Sequence, residues 1–377
     1  MSAIENIVII GGGFAGVGAV KKLQSMPLSD KYRLILVNAS DHFFHIIAAL
    51  RAAVTPDLDN TIFVPYTSLM TKDGEFVHGK VTKISDSSVT VALHASAERV
   101  IDYKYLVIAT GAHHPAWAQA SANTKEDGLR LLTERQAAVK RAKHIVIIGG
   151  GSTGIELAGE IVDFYPEKRV TIVHSGDLLG NQDMTENAKR ALENAVKKIK
   201  GIEVIRNDAV VDPRDAEGDL HIVTKNGNQI AADLQIVTFG VVANSDIITT
   251  LDPNLVNPKT HSIKVKPTLQ LDSVNHPNIF AIGDVADAVG SKMAANTSAH
   301  VDILAKNLQS IDAGKTPTAV YKGPMGAFAI TLGRSKGIIW FPFFGGFALG
   351  NYLTSKAKSA TLGIPKIWQT LKVQLVQ

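Results

Sequence analysis

The sequence contains no cysteine among its 377 residues. A chain without thiols forms no disulfide, binds no metal through thiolate ligands and carries no redox-active dithiol. Long apolar runs are missing as well, because no segment reaches the roughly 18–20 residues that span a bilayer as a helix. We expect no signal peptide at the N-terminus, and Ser2 is not the glycine that N-myristoylation requires. These absences predict a protein that is not secreted and performs no dithiol chemistry.

Acidic residues are missing from the last part of the chain. Eight lysines and arginines follow Asp312 without any Asp or Glu, whereas residues 1–312 carry 31 basic and 35 acidic side chains. Residues 313–377 therefore carry a charge of +8 and residues 1–312 a charge of −4, so the basic character of the chain belongs to its tail. A hydrophobic content of 45% is typical of a folded chain, and the length is sufficient for two or three domains.

A glycine motif follows the first apolar stretch. Residues 7–10 (IVII) are predicted to form a strand, and Gly11, Gly13 and Gly16 follow with G-x-G-x-x-G spacing, where a helix is expected to begin near Phe14. Gly11 permits a tight turn, Gly13 lets a diphosphate approach the backbone, and Gly16 lets the helix pack on the strand. The helix N-terminus supplies N–H donors and about half a positive charge to the diphosphate. This pattern predicts a dinucleotide-binding unit.

The same unit occurs a second time. Residues 143–158 (KHIVIIGGGSTGIELA) almost repeat the opening segment, and Gly149, Gly151 and Gly154 have the same spacing after the same kind of strand. A single match to this motif is weak, whereas two matches in one chain predict two bound dinucleotides.

The residue that usually binds the ribose hydroxyls is an acid at the end of the second strand of each unit. Asn38 occupies that position in the first unit, where its amide can still bond a hydroxyl and Asp41 lies nearby. His174 occupies it in the second unit, followed by Ser175. Neither His174 nor Ser175 strongly favours or repels the extra phosphate of NADPH, so we expect both nicotinamide nucleotides to be accepted.

Three further segments complete the pattern. Residues 103–111 (YKYLVIATG) and 234–240 (LQIVTFG) are matching strands that each end in a glycine turn, one for each unit. Residues 278–287 (NIFAIGDVAD) are predicted to be a strand that delivers Gly283 and Asp284 to the start of a helix. Their position after the second unit predicts a return to the first domain, where the acid can accept a hydrogen bond from a polyol chain.

Two other segments contain polar residues of uncertain role. Residues 43–54 (FFHIIAALRAAV) are predicted to be helical, and Arg51 within them is either a surface salt-bridge partner or a contact for a cofactor diphosphate. His113 and His114 lie in a segment expected to cross between domains and are interpreted as ordinary loop residues.

Taken in order, these segments resemble the flavoprotein family of pyridine-nucleotide-disulfide reductases and their relatives, over residues 4–312. Residues 41–54, the IVHS strand end, residues 291–300 (SKMAANTSAH) and the closing tail are most similar to the ferroptosis suppressor protein and apoptosis-inducing-factor-like (AMID-like) group. The resemblance implies an α/β fold with two Rossmann-like domains, the second inserted into the first, and a small C-terminal α+β region. The implied boundaries are 1–112 with 250–314 for FAD, 113–249 for NAD(P)H, and 315–377 for the C-terminal region.

The resemblance also implies site residues. FAD would contact residues 11–15, Arg51, Asp284 and the backbone of Val81 at the adenine, whereas NAD(P)H would contact residues 149–154, with Glu156 as the catalytic residue near the nicotinamide. No metal site is predicted. The candidate cofactor-binding residues are Gly11, Gly12, Gly13, Phe14, Ala15, Gly16, Asn38, Arg51, Val81, Ala109, Thr110, Gly111, Gly149, Gly151, Ser152, Thr153, Gly154, Glu156, His174, Gly240, Gly283, Asp284 and Met293.

The missing cysteines distinguish among branches of this family. Disulfide reductases and sulfide-quinone reductases both need cysteines, so here the flavin must pass electrons directly to a quinone, an electron-carrier protein or dioxygen. Residues 338–344 (IIWFPFF) favour a quinone, because a docking site for a small acidic carrier should be polar and basic. A nucleic-acid-binding effector is the weakest alternative, since the densest basic cluster outside the tail, residues 197–200 (KKIK), has Glu193 beside it on an expected helix. Homodimer formation stays open.

The tail offers one further prediction. Ile364, Ile367, Trp368, Leu371 and Leu375 fall on one face of an expected helix. This face would dock on a membrane or pack on the flavin domain of the same chain, and the Phe-rich residues 340–347 favour the membrane. We therefore expect a peripheral protein on the cytoplasmic side of a membrane, at an organelle or a lipid-droplet surface.

Overall fold

The computed structural model describes residues 4–71, 73–94, 97–120, 122–290 and 292–374. Ser2 and Leu375, on which two of the expectations above depend, lie outside these ranges. No helix within them has the length and apolar character needed to cross a membrane.

The described residues form both strands and helices, as expected of an α/β protein. The strands are β1 (Glu5–Ile10), β2 (Tyr32–Asn38), β3 (His42–Phe44), β4 (Phe63–Pro65), β5 (Glu75–Ile84), β6 (Ser88–Leu93), β7 (Glu98–Asp102), β8 (Tyr105–Ile108), β9 (Ala112–His113), β10 (His144–Ile148), β11 (Arg169–Val173), β12 (Ile202–Ile205), β13 (Ala216–Val223), β14 (Gln229–Val237), β15 (Val242–Ala243), β16 (Ile279–Ala281), β17 (Phe328–Thr331), β18 (Gly337–Phe341) and β19 (Phe347–Leu349). The helices are α1 (Phe14–Gln24), α2 (Ala49–Ala52), α3 (Lys125–Arg141), α4 (Ser152–Phe164), α5 (Glu186–Val196), α6 (Thr297–Asp312), α7 (Asn351–Thr354) and α8 (Ile364–Leu371).

The first sheet has the strand order β16-β8-β1-β2-β5-β6-β7. Its first five strands are parallel, and β5, β6 and β7 form an antiparallel meander. Residues from α1, α6 and α8 join one hydrophobic core on this sheet, and a second core covers the opposite face. The central strands β1, β2 and β8 contain runs of buried apolar residues because both faces of the sheet are covered.

The second sheet has the order β12-β11-β10-β14-β13 and lies between β8 and β16 in the sequence. The chain therefore leaves the first sheet, builds the second and returns, which confirms the predicted insertion of one Rossmann-like unit into the other. The central pairing is the same in both sheets: Ile7 in β1 pairs with β2 and β8, and Ile145 in β10 pairs with β11 and β14. The residue boundaries of the three domains stay a prediction.

The C-terminal region is the expected small α+β unit. Its sheet, β17-β18-β19, is antiparallel and packs through Ile330 and Trp340 on the core of the second unit. After α7 the helix continues as a π-helical segment, Ser355–Ser359, and then α8 crosses to the first sheet. The tail therefore connects both dinucleotide units.

Two local predictions were wrong. Residues 43–54 are not one helix: β3 is followed by a 3₁₀ turn, Ile46–Ala48, and only α2 is α-helical. The first residues of this segment pair with β4 instead, which satisfies their backbone groups across a strand. Gly283 and Asp284 open a 3₁₀ turn, Gly283–Val285, and the long helix α6 begins only at Thr297.

Candidate functional site

The first glycine loop has the geometry that dinucleotide binding requires. Gly11 has a φ of +101°, and a Cβ on Gly16 would lie 1.8 Å from the Gly11 carbonyl oxygen, so neither position accepts another residue without a shift. A Cβ on Gly13 would meet no atom within 4 Å. The loop is thus closed where α1 meets the strand and open at Gly13, where a diphosphate would approach.

Two polar side chains support this loop from behind. The Asn38 side-chain oxygen accepts a hydrogen bond from the Gly12 N–H at 2.8 Å, and the Tyr66 hydroxyl donates to the Gly12 carbonyl at 2.7 Å. The Asn38 amide nitrogen donates to the Ser40 carbonyl and to the Tyr66 hydroxyl. The residue expected to bond a ribose hydroxyl therefore holds the loop, and its role toward ribose stays a prediction.

Gly283 and Asp284 return to this loop as expected. β16 pairs with β8, and a Cβ on Gly283 would lie 2.8 Å from the Cβ of Ala15 at the start of α1. Burial raises the pKa of Asp284, and the nearby His114 and Lys292 offset only part of this increase. His114 lies 4.0 Å from the Asp284 carboxylate, so this histidine, interpreted from the sequence as an ordinary loop residue, stands at the site.

A buried histidine fixes the same turn. The Gly283 N–H donates to Nδ1 of His300 at 3.0 Å, and the imidazole packs edge-on against Tyr321. Burial lowers the pKa of His300 to about 4. The ring is therefore neutral at pH 7 and serves as a hydrogen-bond acceptor.

The second glycine loop repeats the first. Gly149 has a φ of +115°, and a Cβ on Gly154 would lie 2.0 Å from the Gly149 carbonyl oxygen. His174 takes the part of Asn38, since its Nδ1 accepts from the Gly150 N–H at 3.2 Å while Nε2 donates to the Leu178 carbonyl at 3.1 Å. Burial lowers the pKa of His174, which keeps Nδ1 free to accept.

The strand ends beside the two loops also match. Ala109 packs on Gly11, and Gly111 and Gly240 both have positive φ, at +68° and +95°. Thr110 and Asn244 exchange hydrogen bonds next to the pairing of β9 with β15, where the chain crosses between units. The end of the first turn is thus bonded to Asn244, a few residues after the second turn, where the chain crosses between units.

Glu156, the predicted catalytic residue, lies on the first turns of α4. Its carboxylate accepts from the Lys358 ammonium at 2.7 Å and from the Thr331 N–H at 2.9 Å. Lys358 also donates to the Ala329 carbonyl at 2.8 Å. Lys358 was missed by sequence reasoning, because about two hundred residues separate it from Glu156 and no local pattern announces the contact.

Arg51 forms a buried ion pair. Its guanidinium donates two hydrogen bonds to Glu160 on α4, at 2.7 and 2.9 Å, and the two side chains are 5% and 4% exposed. The predicted salt bridge therefore exists, but the prediction that it lies on the surface was wrong. The guanidinium is bonded to Glu160, and a contact of Arg51 with a cofactor diphosphate stays a prediction.

A cavity of about 1840 Å³ connects these parts. Phe14 and His45 line it beside the first loop, Glu156 and Lys358 line it in the middle, and His174 lines it beside the second loop. Further predicted residues on its wall are Gly149, Gly151, Ser152, Thr153 and Met293. Val81 lies apart from these, with its side chain in the core between β5 and β6, and its backbone contact with adenine stays a prediction.

The predicted membrane face of α8 is inside the protein. Ile364, Ile367, Trp368 and Leu371 are buried in the core of the first unit, and the Trp368 indole N–H donates to the Thr61 carbonyl at 2.7 Å. The alternative that this helix packs on its own flavin domain is therefore confirmed. Trp340 is likewise only 5% exposed.

The exposed apolar side chains of the tail lie elsewhere. Those that follow β18 are Phe343, Phe344, Phe347, Tyr352 and Leu353, which we call the aromatic patch. Phe344 is fully exposed in a turn before two glycines, and the Lys356 ammonium lies 4.6 Å from the centre of the Tyr352 ring.

The residues present fit FAD at the first unit and a nicotinamide nucleotide at the second. Gly13 leaves an open space beside the loop, Gly283 brings Asp284 next to Ala15 at the start of α1, and the second loop repeats the backbone geometry of the first. Each loop leads into the N-terminus of a helix, α1 or α4, where backbone N–H groups can donate to a diphosphate. The fold and site define a flavoprotein oxidoreductase with two dinucleotide sites.

The comparisons with known proteins agree. Residues 5–302 match the pyridine nucleotide-disulphide oxidoreductase family, and the chain belongs to it. Family members bind FAD and NAD(P)H, and this chain is an FAD-dependent NAD(P)H oxidoreductase.

Particular relatives are similar over almost their whole length. Apoptosis-inducing factor homolog B of Dictyostelium discoideum is 33% identical, over 96% of this chain and 95% of the relative. Ferroptosis suppressor protein 1 of Homo sapiens is 28% identical, over 98% and 97%. The solved sulfide:quinone oxidoreductase of Aquifex aeolicus has a TM-score of 0.71 at 18% identity, covering 98% of this chain and 92% of that one, which shows a shared fold.

Proposed function

We propose that this protein is an NAD(P)H:quinone oxidoreductase that reduces its acceptor directly at a membrane surface. The cavity carries the proposal, because it is continuous from the second glycine loop, past Glu156 and Lys358, to Phe14 and the tail. The chain has no thiol that could relay electrons. Bound FAD would accept a hydride from NAD(P)H and supply two electrons to the acceptor. With a quinone as acceptor, one further proton from water completes the hydroquinone.

Lys358 is the charged group best placed to contact an acceptor. An ammonium has three N–H donors, and two of them reach the Glu156 carboxylate and the Ala329 carbonyl. The third has no acceptor among the described residues and lies on the cavity wall. It can donate a hydrogen bond to a carbonyl oxygen of a quinone, while Glu156 keeps the ammonium in place.

Apolar side chains line the part of the cavity nearest the tail. Phe14, Ile47 and Phe328 form its wall with Leu362 and Ile367. Such a wall suits the ring and tail of a lipid-soluble quinone better than a polar carrier protein. The hydrophobic residues of the C-terminal region thus contribute to the acceptor site from within.

The membrane contact would be made by the aromatic patch rather than by α8. Burying a phenylalanine contributes about 1.5–3 kcal/mol, and a lysine near an anionic surface contributes on the order of 1 kcal/mol. Phe344 with its aromatic neighbours therefore decides binding, and Lys356 favours anionic lipid. The residues after Asp312 add no acidic charge that would oppose such a surface.

The function is tested on the purified protein by its absorption spectrum and by titration with NADH, with and without a short-chain quinone. We expect a flavin spectrum that bleaches with NADH and recovers on addition of quinone. Lys358→Met should raise the KM for quinone while NADH still bleaches the flavin at a similar rate. Bleaching without recovery by any quinone would refute the quinone acceptor and leave a carrier protein or dioxygen.

The membrane contact is tested by flotation with vesicles that contain anionic lipid. Phe344→Asn should lose flotation and keep turnover with a soluble acceptor, since asparagine tolerates the left-handed backbone found there, with φ +55°. Val274→Asn is the matched control, because Val274 is 87% exposed on a different segment. Flotation that is absent in the parent, or equal in both variants, would contradict the proposal.

A further inference from the structure

The second glycine loop contains a side chain at its anion-binding end. The Asn181 side-chain oxygen accepts a hydrogen bond from the Ser152 N–H, the first amide of α4, at 3.0 Å. A Cβ on Gly151 would lie 2.9 Å from the same oxygen, and nothing else is within 4 Å of it. Asn181 thus occupies the side of the loop that a diphosphate would approach.

The first loop differs at the corresponding position. Phe14 is the first residue of α1 as Ser152 is of α4, and its N–H has no side-chain acceptor among the described residues. The space beside Gly13 is empty to 4 Å, whereas the space beside Gly151 contains the amide oxygen. The two loops therefore have the same backbone and differ in how freely their donors can be reached.

A backbone N–H at a helix N-terminus is a main donor for a bound diphosphate, and an amide oxygen that accepts from it takes the same position as a phosphate oxygen. Both acceptors cannot share one N–H at full strength. We propose that Asn181 is a built-in competitor for the diphosphate of NAD(P)H, leaving the Ser152 N–H when the nucleotide binds. The proposal rests on the assignment of the nicotinamide nucleotide to the second unit.

Only the side chain has to move. The segment before α5 stays attached to the loop through the Gly180 N–H, which donates to the Gly150 carbonyl at 2.8 Å. The Met184 N–H donates to the Asn181 carbonyl at 3.2 Å, so the backbone at Asn181 is held from both sides. Asn181 is half-buried on the cavity wall, which leaves room for its amide to rotate toward solvent.

Two substitutions of Asn181 are expected to change the affinity for ADP-ribose in opposite directions. Asn181→Ala removes the competing oxygen, so ADP-ribose, which contains the diphosphate, should bind about threefold to tenfold more tightly, equivalent to ~0.6–1.4 kcal/mol. Asn181→Asp places a negative charge at the N–H and repels the diphosphate, so ADP-ribose should bind more weakly than to the parent. The expected order of affinity is Ala, then Asn, then Asp.

The experiment is calorimetric titration of the FAD-loaded protein with ADP-ribose, repeated with NAD⁺. Asn187→Ala is the matched control, because Asn187 is a nearby asparagine on α5 whose amide donates to Gly345 instead. We expect its affinity to equal that of the parent. Flavin content should be the same in all variants, since Asn181 lies at the second loop.

Gly151→Val distinguishes the proposed role of Asn181 from the assignment of the nucleotide to the second loop. Loss of ADP-ribose binding in Gly151→Val, together with equal or weaker binding in Asn181→Ala, would overturn the competitor and leave the nucleotide site intact. Weaker binding in Asn181→Ala would mean that the amide holds the nucleotide instead of excluding it. If Gly151→Val binds like the parent, the nucleotide does not use this loop and both assignments fail.

Discussion

The two glycine loops of this protein make nearly the same backbone contacts, but different polar side chains support them. In each, the first glycine has a positive φ, and a Cβ added to the third glycine would lie only 1.8 or 2.0 Å from the carbonyl oxygen of the first. In each, a side chain at the end of the second strand accepts a hydrogen bond from the N–H of the residue after the first glycine, Gly12 or Gly150. The acceptor is the Asn38 amide in one unit and the neutral His174 imidazole in the other. The backbone requirement therefore permits different polar chemistry behind the loop.

The helices that follow the loops differ more. α1 has no acidic residue and packs by apolar contact in the core with α6. α4 carries three acids, and each accepts from a different segment: Glu156 from Lys358, Glu160 from Arg51 and Asp163 from the Arg334 N–H. The first helix thus belongs to its own domain, whereas the second also attaches the tail and the first domain.

The largest expected effect comes from placing a valine at the second glycine of each G-x-G-x-x-G motif, Gly13 or Gly151. Gly13→Val should yield folded protein without FAD, because a Cβ there meets no atom within 4 Å and the valine side chain would occupy the space of the diphosphate. Gly151→Val should retain FAD and lose NADH binding. Flavin absorbance and NADH titration distinguish the two, and a Gly13→Val protein that purifies with stoichiometric FAD would show that the first loop is misassigned.

The buried pair between α2 and α4 gives the next largest effect. Arg51→Met leaves the Glu160 carboxylate buried without its partner, which should lower the free energy of unfolding by about 3–5 kcal/mol. Urea denaturation measures the loss. The double variant Arg51→Met/Glu160→Leu should recover most of it, and Arg130→Met, which removes an exposed pair with Asp127, should change stability by less than about 1 kcal/mol. An equal, small effect at both arginines would contradict the role of the buried pair.

The histidine acceptors should make stability depend on pH in one direction. Burial lowers the pKa of His300 to about 4, below the value near 6.5 in the unfolded chain, so the unfolded state takes up a proton first. Stability is complete above pH 6.5 and should fall by on the order of 2 kcal/mol toward pH 4.5 from this residue. His300→Asn keeps an acceptor for the Gly283 N–H and should flatten that part of the profile. Parallel profiles for parent and variant would refute it.

The smallest effect concerns the two nicotinamide nucleotides. His174 is neutral and bonded to Gly150 and Leu178, so it neither attracts the extra phosphate of NADPH nor repels it as a carboxylate would. The kcat/KM values for NADH and NADPH should differ by less than roughly a hundredfold, about 2.7 kcal/mol. His174→Glu should shift the ratio toward NADH by tenfold or more. A larger preference in the parent would contradict this interpretation.

The local pattern of the sequence was enough to predict both glycine loops and the strands around them, whereas the insertion of one unit in the other followed from the order of the segments and from the family resemblance. The reason is physical: a G-x-G-x-x-G turn between an apolar strand and a helix depends on contacts within about twenty residues. Gly11 and Gly16 touch each other directly, so their spacing in the chain already encodes the geometry. The missing cysteines likewise excluded a dithiol without reference to any fold.

Contacts between distant segments were decided only by the tertiary structure. The amphipathic pattern of α8 is the same whether the apolar face meets lipid or protein, and the buried position of Trp368 against Thr61 was set by packing. Arg51 with Glu160, Glu156 with Lys358, and Asn181 with Ser152 each join segments whose sequences do not refer to one another. The type of a charged or amide side chain determines which groups it can bond. Only the folded chain determines which of those groups lies within 3 Å of it.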